Sequence, residues 1–175
     1  MSELIIGDQL DLEQLIKKVG RVDENSRKLD TIVSSIVNKY CKELDEFITN
    51  IYTLVSDKTK DVPDVDIEYM ILQLPLRMYF TSGKLEDLGL REDIARGTEK
   101  EKYNNILMKT EGKVLEKESA AELGSQEESI ITAINSRAYR KIKARLEYAS
   151  ATLESLKKVI TNRISDKELS RKDSR

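Results

Sequence analysis

Two stretches of this chain hold side chains with the chemistry to bind another molecule. Between Arg137 and Arg145 the sequence reads RAYRKIKAR, five cations in nine residues: Arg137, Arg140, Lys141, Lys143 and Arg145, with Tyr139 among them and Lys158 further on. Cations at that density neutralise phosphates whatever the base sequence and displace counterions as they do so, so the contact is salt-sensitive. Between Leu76 and Lys84 the run LRMYFTSGK sets Arg77 and Lys84 beside Tyr79 and Phe80. A cation beside an aromatic face is the minimum equipment for single-stranded nucleic acid, charge for the phosphate and ring for the base. Each stretch has a plainer reading. Basic helix faces often pair with acidic helices, and an apolar run around a proline also makes a kinked core helix.

Catalytic machinery is hard to find. The chain has no histidine, so the usual general base at neutral pH and the commonest transition-metal ligand are both missing. Its seven glycines are scattered and form no phosphate-cradling loop. Glu116, Glu118, Glu122, Glu127 and Glu128 suggest a magnesium site only on paper, because a polar, solvated helix face has no apolar wall to shift a carboxylate. The single cysteine, Cys41, excludes an intrachain disulfide and falls at an apolar helix position, where it reads as a small core residue. The sequence therefore predicts a binding protein, no enzyme, with no cofactor and no metal.

The elements that must position these residues are helices. Charged residues make up 35% of the 175 positions and aromatics 5%, with two prolines and no tryptophan, a composition that favours long exposed helices and coiled coils over sheet. From Ile131 to Ile164 no proline or glycine interrupts the chain. At 100° per residue, Ile131, Ala138, Ile142, Leu146, Ala149, Leu153, Leu156, Ile160 and Ile164 fall within roughly 80° of one another. That stripe predicts one helix about 50 Å long, with the basic residues opposite or flanking it. Leu29 to Leu54 repeats apolar residues at steps of three and four, and is the expected partner.

The intervening elements are read from punctuation. Asp8 caps a short helix that Gly20 ends, and Asn25 or Ser26 caps the next. Residues 56–66 form a polar loop with a cap at Asp64 or Asp66; Pro75 predicts a kink or break near Leu74, and Gly83 an end. Residues 85–90 connect to a weaker helix, 91–109, followed by a charged segment broken at Gly112 and Gly124. The fold class expected is all-α: an elongated helical bundle with a long C-terminal amphipathic helix. It forms one domain over 1–175, with a short N-terminal helix and arm (1–24), long packing helices at 25–56 and 128–167, and a flexible tail (168–175).

The net charge of −2 conceals a gradient, from 9 Lys/Arg against 15 Asp/Glu in residues 1–74 to 12 against 5 in residues 137–175. The two ends attract one another within or between subunits, or the basic end seeks phosphate. No stretch approaches 18 consecutive apolar residues, and no basic segment followed by an apolar core opens the chain. A soluble, cytoplasmic protein that does not enter membranes is expected.

The run Leu76–Lys84 resembles the basic-aromatic, Ser-Gly-terminated segment of phage recombination mediators of the UvsY type. A charged stretch then a C-terminal amphipathic helix follow in that family, and AYRKIKARLEYASATLESLKKVITNRI has that look. The likeness covers roughly residues 76–165. It departs in the long N-terminal helical region, in Pro75 and in the spacer. It implies a homo-oligomer that binds single-stranded DNA and helps load a RecA-like recombinase in the host cytoplasm. Arg77, Tyr79 and Lys84 become DNA contacts, and the helix from Ala138, through Ile142, Leu146, Leu153, Leu156 and Ile160, assembles subunits. Two alternatives stand beside it: a helical protein-interaction module, such as a phage inhibitor or adaptor of a host protein, and a structural coiled-coil subunit.

Overall fold

The computed structural model describes the backbone of residues 6–56 and 62–173 and the side chains of residues 23–56 and 62–170. Within those bounds every element is helical: α1 Ile6–Ser56, α2 Asp64–Lys109, α3 Val114–Gly124 and α4 Gln126–Asp173. The fold is an all-α, bundle-like arrangement of three long helices and one short one.

Punctuation proves weaker than the sequence suggests. α1 runs without interruption through Asp8, Gly20, Asn25 and Ser26, so no separate short helix precedes it. α2 likewise runs 46 residues through Pro75, Gly83 and Gly97, with no break near Leu74 and no connector at 85–90. The energetics explain this. A glycine inside a helix costs about 1 kcal/mol relative to alanine, whereas ending the helix there leaves a set of backbone carbonyls without donors. Pro75 removes one donor, from the carbonyl of Ile71, on the solvent side of the helix where Pro75 itself is exposed. At the other end, α4 continues through Asp173, beyond the tail expected from residue 168. The expected arm at residues 1–5 and most of the loop after Ser56 lie outside the described residues.

Where the chain does turn, local chemistry accounts for it. Pro63 precedes α2 with φ −56°, and Asp64 and Asp66 stand in its first turn, not as caps but as charges facing the helix N-terminus. Gly112 has φ +129°, and a Cβ there would meet the Glu116 carboxylate at 2.5 Å, so the α2–α3 turn requires glycine. Glu116 accepts a hydrogen bond from the backbone N–H of Lys113 at 3.1 Å, tying the start of α3. At the far end of α3 a Cβ on Gly124 would lie 2.4 Å from Ile106, which brings the helix hard against α2.

The core is a column in two parts. One joins Leu44, Ile48 and Ile51 of α1 to Ile67, Met70 and Leu74 of α2 and to Ala149 and Leu156 of α4. The other joins Val33, Val37 and Cys41 to Leu85 and Leu88 and to Ala138 and Ile142. The order of residues in these groups sets the topology: α1 and α4 run parallel, and α2 runs antiparallel to both. The expected pairing of 29–55 with 131–164 is present, but α2 is the more extensive partner of α4.

Two substitutions probe this arrangement. Ile142 is fully buried, so Ile142→Asp places an uncompensated carboxylate in the junction and should cost at least ~3 kcal/mol, read as lost helicity in circular dichroism. A Cβ on Gly97 meets nothing within 4 Å, so Gly97→Ala should stabilise the chain by about 1 kcal/mol in a denaturant titration.

Candidate nucleic-acid interface

Rotation of α4 about its axis decides the fate of each cation. Ala138, Ile142, Ala149 and Leu156 are buried in the core, and α1 closes one flank of that stripe. Side chains on this flank meet the carboxylates of α1: Lys141 reaches Asp30 at 2.7 Å, and Arg145 pairs with Asp45. Further along, Arg163 donates to the Val62 carbonyl at 2.5 Å and to Asp64 at 3.0 Å, and Lys167 pairs with the same carboxylate. The acidic first half and the basic last helix thus compensate one another within the chain at these positions.

Arg137, Arg140, Lys143 and Lys158 differ. All four are exposed and none makes a contact ion pair with a described residue, although the charge of Arg137 adds to that of Lys141 in lowering the Asp30 carboxyl. Arg140 only donates, at 3.4 Å, to the Ser136 carbonyl one turn back in its own helix. Arg137, Arg140 and Lys143 span two turns of α4's outward face, and Lys158 lies about 22 Å beyond Lys143 along the axis. Glu147 and Glu154 are interleaved with them, so the strip is a mixed face with a cationic end.

The second stretch is divided by the helix that carries it. Arg77 is half-buried with its guanidinium 4.5 Å over the Phe47 ring of α1. Lys84 is half-buried as well, its charge working on the Cys41 thiol together with that of Arg145 against the upward push of burial. Tyr79 stands two residues from Arg77, hence about 200° around the helix, and is exposed. It meets Phe80 edge-on with centroids 5.7 Å apart. Arg77 and Lys84 therefore face α1 while Tyr79 faces away, and neither cation shares a surface with Arg137, Arg140 and Lys143. The residues expected to assemble subunits are occupied within the chain: Ile142 and Leu156 are buried, and Leu146, Leu153 and Ile160 pack on the core as partly buried side chains.

One feature escapes sequence reasoning altogether. Between the end of α1 and α4 an open groove of about 350 Å³ is lined by Ile48, Ile51, Tyr52, Val55, Tyr148 and Leu156 among others. It exists because α2 covers only one side of the α1–α4 pair, which no periodicity reveals. Among the described residues no group of three or more His, Cys, Asp or Glu side chains is placed to hold a metal ion, and no helix is long and apolar enough to cross a membrane.

The ion pairs set a pH dependence. A hydrogen bond from Lys141 holds the Asp30 carboxyl below its ordinary 3.8, bonds from Lys167 and then Arg163 do the same for Asp64, and a bond from Lys102 at 2.6 Å lowers Glu128 below 4.5. Their stabilisation is present above those ordinary values and is lost as pH falls through the depressed folded-state values. Thermal melts should therefore hold level from neutral pH to about 4.5 and fall below it. The Asp64→Asn variant should melt lower at neutral pH and show a shallower acid decline.

Compared with protein-family models, curated proteins and solved structures, the chain has no match in any of the three.

Proposed function

We propose that this chain is a non-enzymatic accessory protein that binds single-stranded DNA as an oligomer and assists the loading of a RecA-like recombinase in the cytoplasm of a phage host. The observation that carries the DNA-binding part is the set of exposed, unpaired cations on α4's outward face, Arg137, Arg140 and Lys143, with Lys158 further along. Lys141 and Arg145, one turn away, are held by Asp30 and Asp45, whereas Arg140, Lys143 and Lys158 have no carboxylate partner among the described residues and Arg137 adds only its charge beside Asp30. A helix face of this kind holds a phosphate backbone and reads no base, which suits an accessory that must act on any sequence. The oligomer and the recombinase rest on the resemblance around Leu76–Lys84 and the C-terminal helix. In this reading Arg77 and Lys84 work on the packing of α2 against α1.

A second reading, a protein-interaction module, has one observation in its favour: the exposed apolar side chains of α2 and of the α1–α4 groove.

The proposal is tested with a gel shift at several salt concentrations. With four cations engaged, log affinity should fall with log salt at a slope of about −3, at roughly −0.7 per phosphate. Changing Arg137, Arg140 and Lys143 together to Gln should remove about two units of that slope and leave the melting temperature unchanged, since exposed charges contribute little to folding. Changing Lys141 and Arg145 to Gln should do the reverse. Absence of binding by the parent at low salt, or an unchanged slope in the triple variant, sinks the DNA role of this face.

A further inference from the structure

We propose that the outward face of α2 is a coiled-coil seam through which a second copy of this chain packs against its own α2. The inference deepens the oligomeric part of the function proposed above and rests on that part alone, independently of DNA.

α2 carries two apolar stripes. Ile67, Met70, Leu74, Leu85 and Leu88 face the core. On the opposite side Val65, Tyr69, Leu72, Leu76 and Tyr79 follow one another at steps of four and three, and all five are exposed, Leu72 and Tyr79 at 73% each. The same spacing continues to Gly83, meets the exposed carboxylate of Glu86, and reaches exposed Leu90. Alternating steps of three and four make the heptad pattern that places apolar knobs along one seam of a two-helix pair. From Val65 to Gly83 the uncharged part of the seam is about 27 Å long.

Size argues for an interface. With Phe80 at its edge, the unbroken run from Val65 to Phe80 exposes on the order of 600–700 Å², at the upper end of the 300–600 Å² of the largest patch on a typical monomer and approaching one side of a stable interface.

A second copy is the occupant that fits. From Val65 to Gly83 the seam positions carry no charge with which to select an acidic or basic partner. A heptad seam is matched by another heptad seam, and each copy of the chain presents one of the same length. α4 cannot offer its own, because that stripe is already spent on α1 and α2.

The test is sedimentation equilibrium of the whole chain without nucleic acid, beside circular dichroism. The parent should sediment as a dimer or larger species. Leu72→Glu combined with Tyr79→Glu should weaken association at least tenfold and leave helicity intact, because both side chains are exposed in the protomer. If the Glu pair loses helicity, Leu72→Ala with Tyr79→Ala reads the same weakening with a better helix former. A parent that stays monomeric overturns the inference and leaves the seam to a different protein or a membrane surface. A variant pair that keeps the parent's mass overturns it too. The Gln variants of Arg137, Arg140 and Lys143 should keep the parent's mass, so failure of assembly and failure of DNA binding are read in separate assays.

Discussion

The burial of a narrow stripe on α4 between α1 and α2 is the constraint from which the rest follows. Two of its four fully covered positions, Ala138 and Ala149, are alanines, whose small side chains let three helices approach one another where larger ones would hold them apart. Ile142 and Leu156 fill the space between. With the stripe fixed, the rotation of α4 is fixed, and so is the direction of every other side chain on it. Tyr139, Leu146 and Leu153 turn towards α2, where Tyr139 lies 3.4 Å from the position of a Cβ on Gly89. Lys141 and Arg145 turn towards α1.

Charge placement is a consequence of that rotation. Asp30 and Asp45 on α1 take the cations that face them, and those beyond reach remain in water. Asp64 shows the same logic at the other end of the column. It stands in the first turn of α2, where the helix dipole favours a negative charge, and takes Arg163 and Lys167 from the last part of α4. The electrostatic contrast between the two ends of the chain is therefore spent partly on aligning helices and partly left on the surface. The exposed remainder, not the total, is the charge that the surface presents.

α2 is the element on which fold and function meet. One of its faces completes the core, Arg77 and Lys84 turn to α1, and the third side presents Tyr69, Leu72, Leu76 and Tyr79 to solvent. A helix with apolar residues on both faces is easily taken for a fully buried one. Here only two long helices are available to cover it, and both lie on one side. The energetic tension of an uncovered apolar face is the reason to look for the missing neighbour outside the chain.

What the sequence determined by itself was the secondary structure class and the α4 stripe. Ile142, Ala149 and Leu156 are legible because a 3.6-residue period over an unbroken stretch has no competing explanation. The basic block was equally plain as composition. Helix ends were not: Gly20, Gly83 and Pro75 carry local costs of one to a few kcal/mol, roughly, which continuous packing outweighs, and packing is not a local property. Nor could the sequence say which cations are exposed. Lys141 and Lys143 are two residues apart and chemically alike, yet one faces Asp30, 111 positions away, and the other faces water. That difference arises only when α1 and α4 are laid side by side, because a charge is neutralised by what is near it in space.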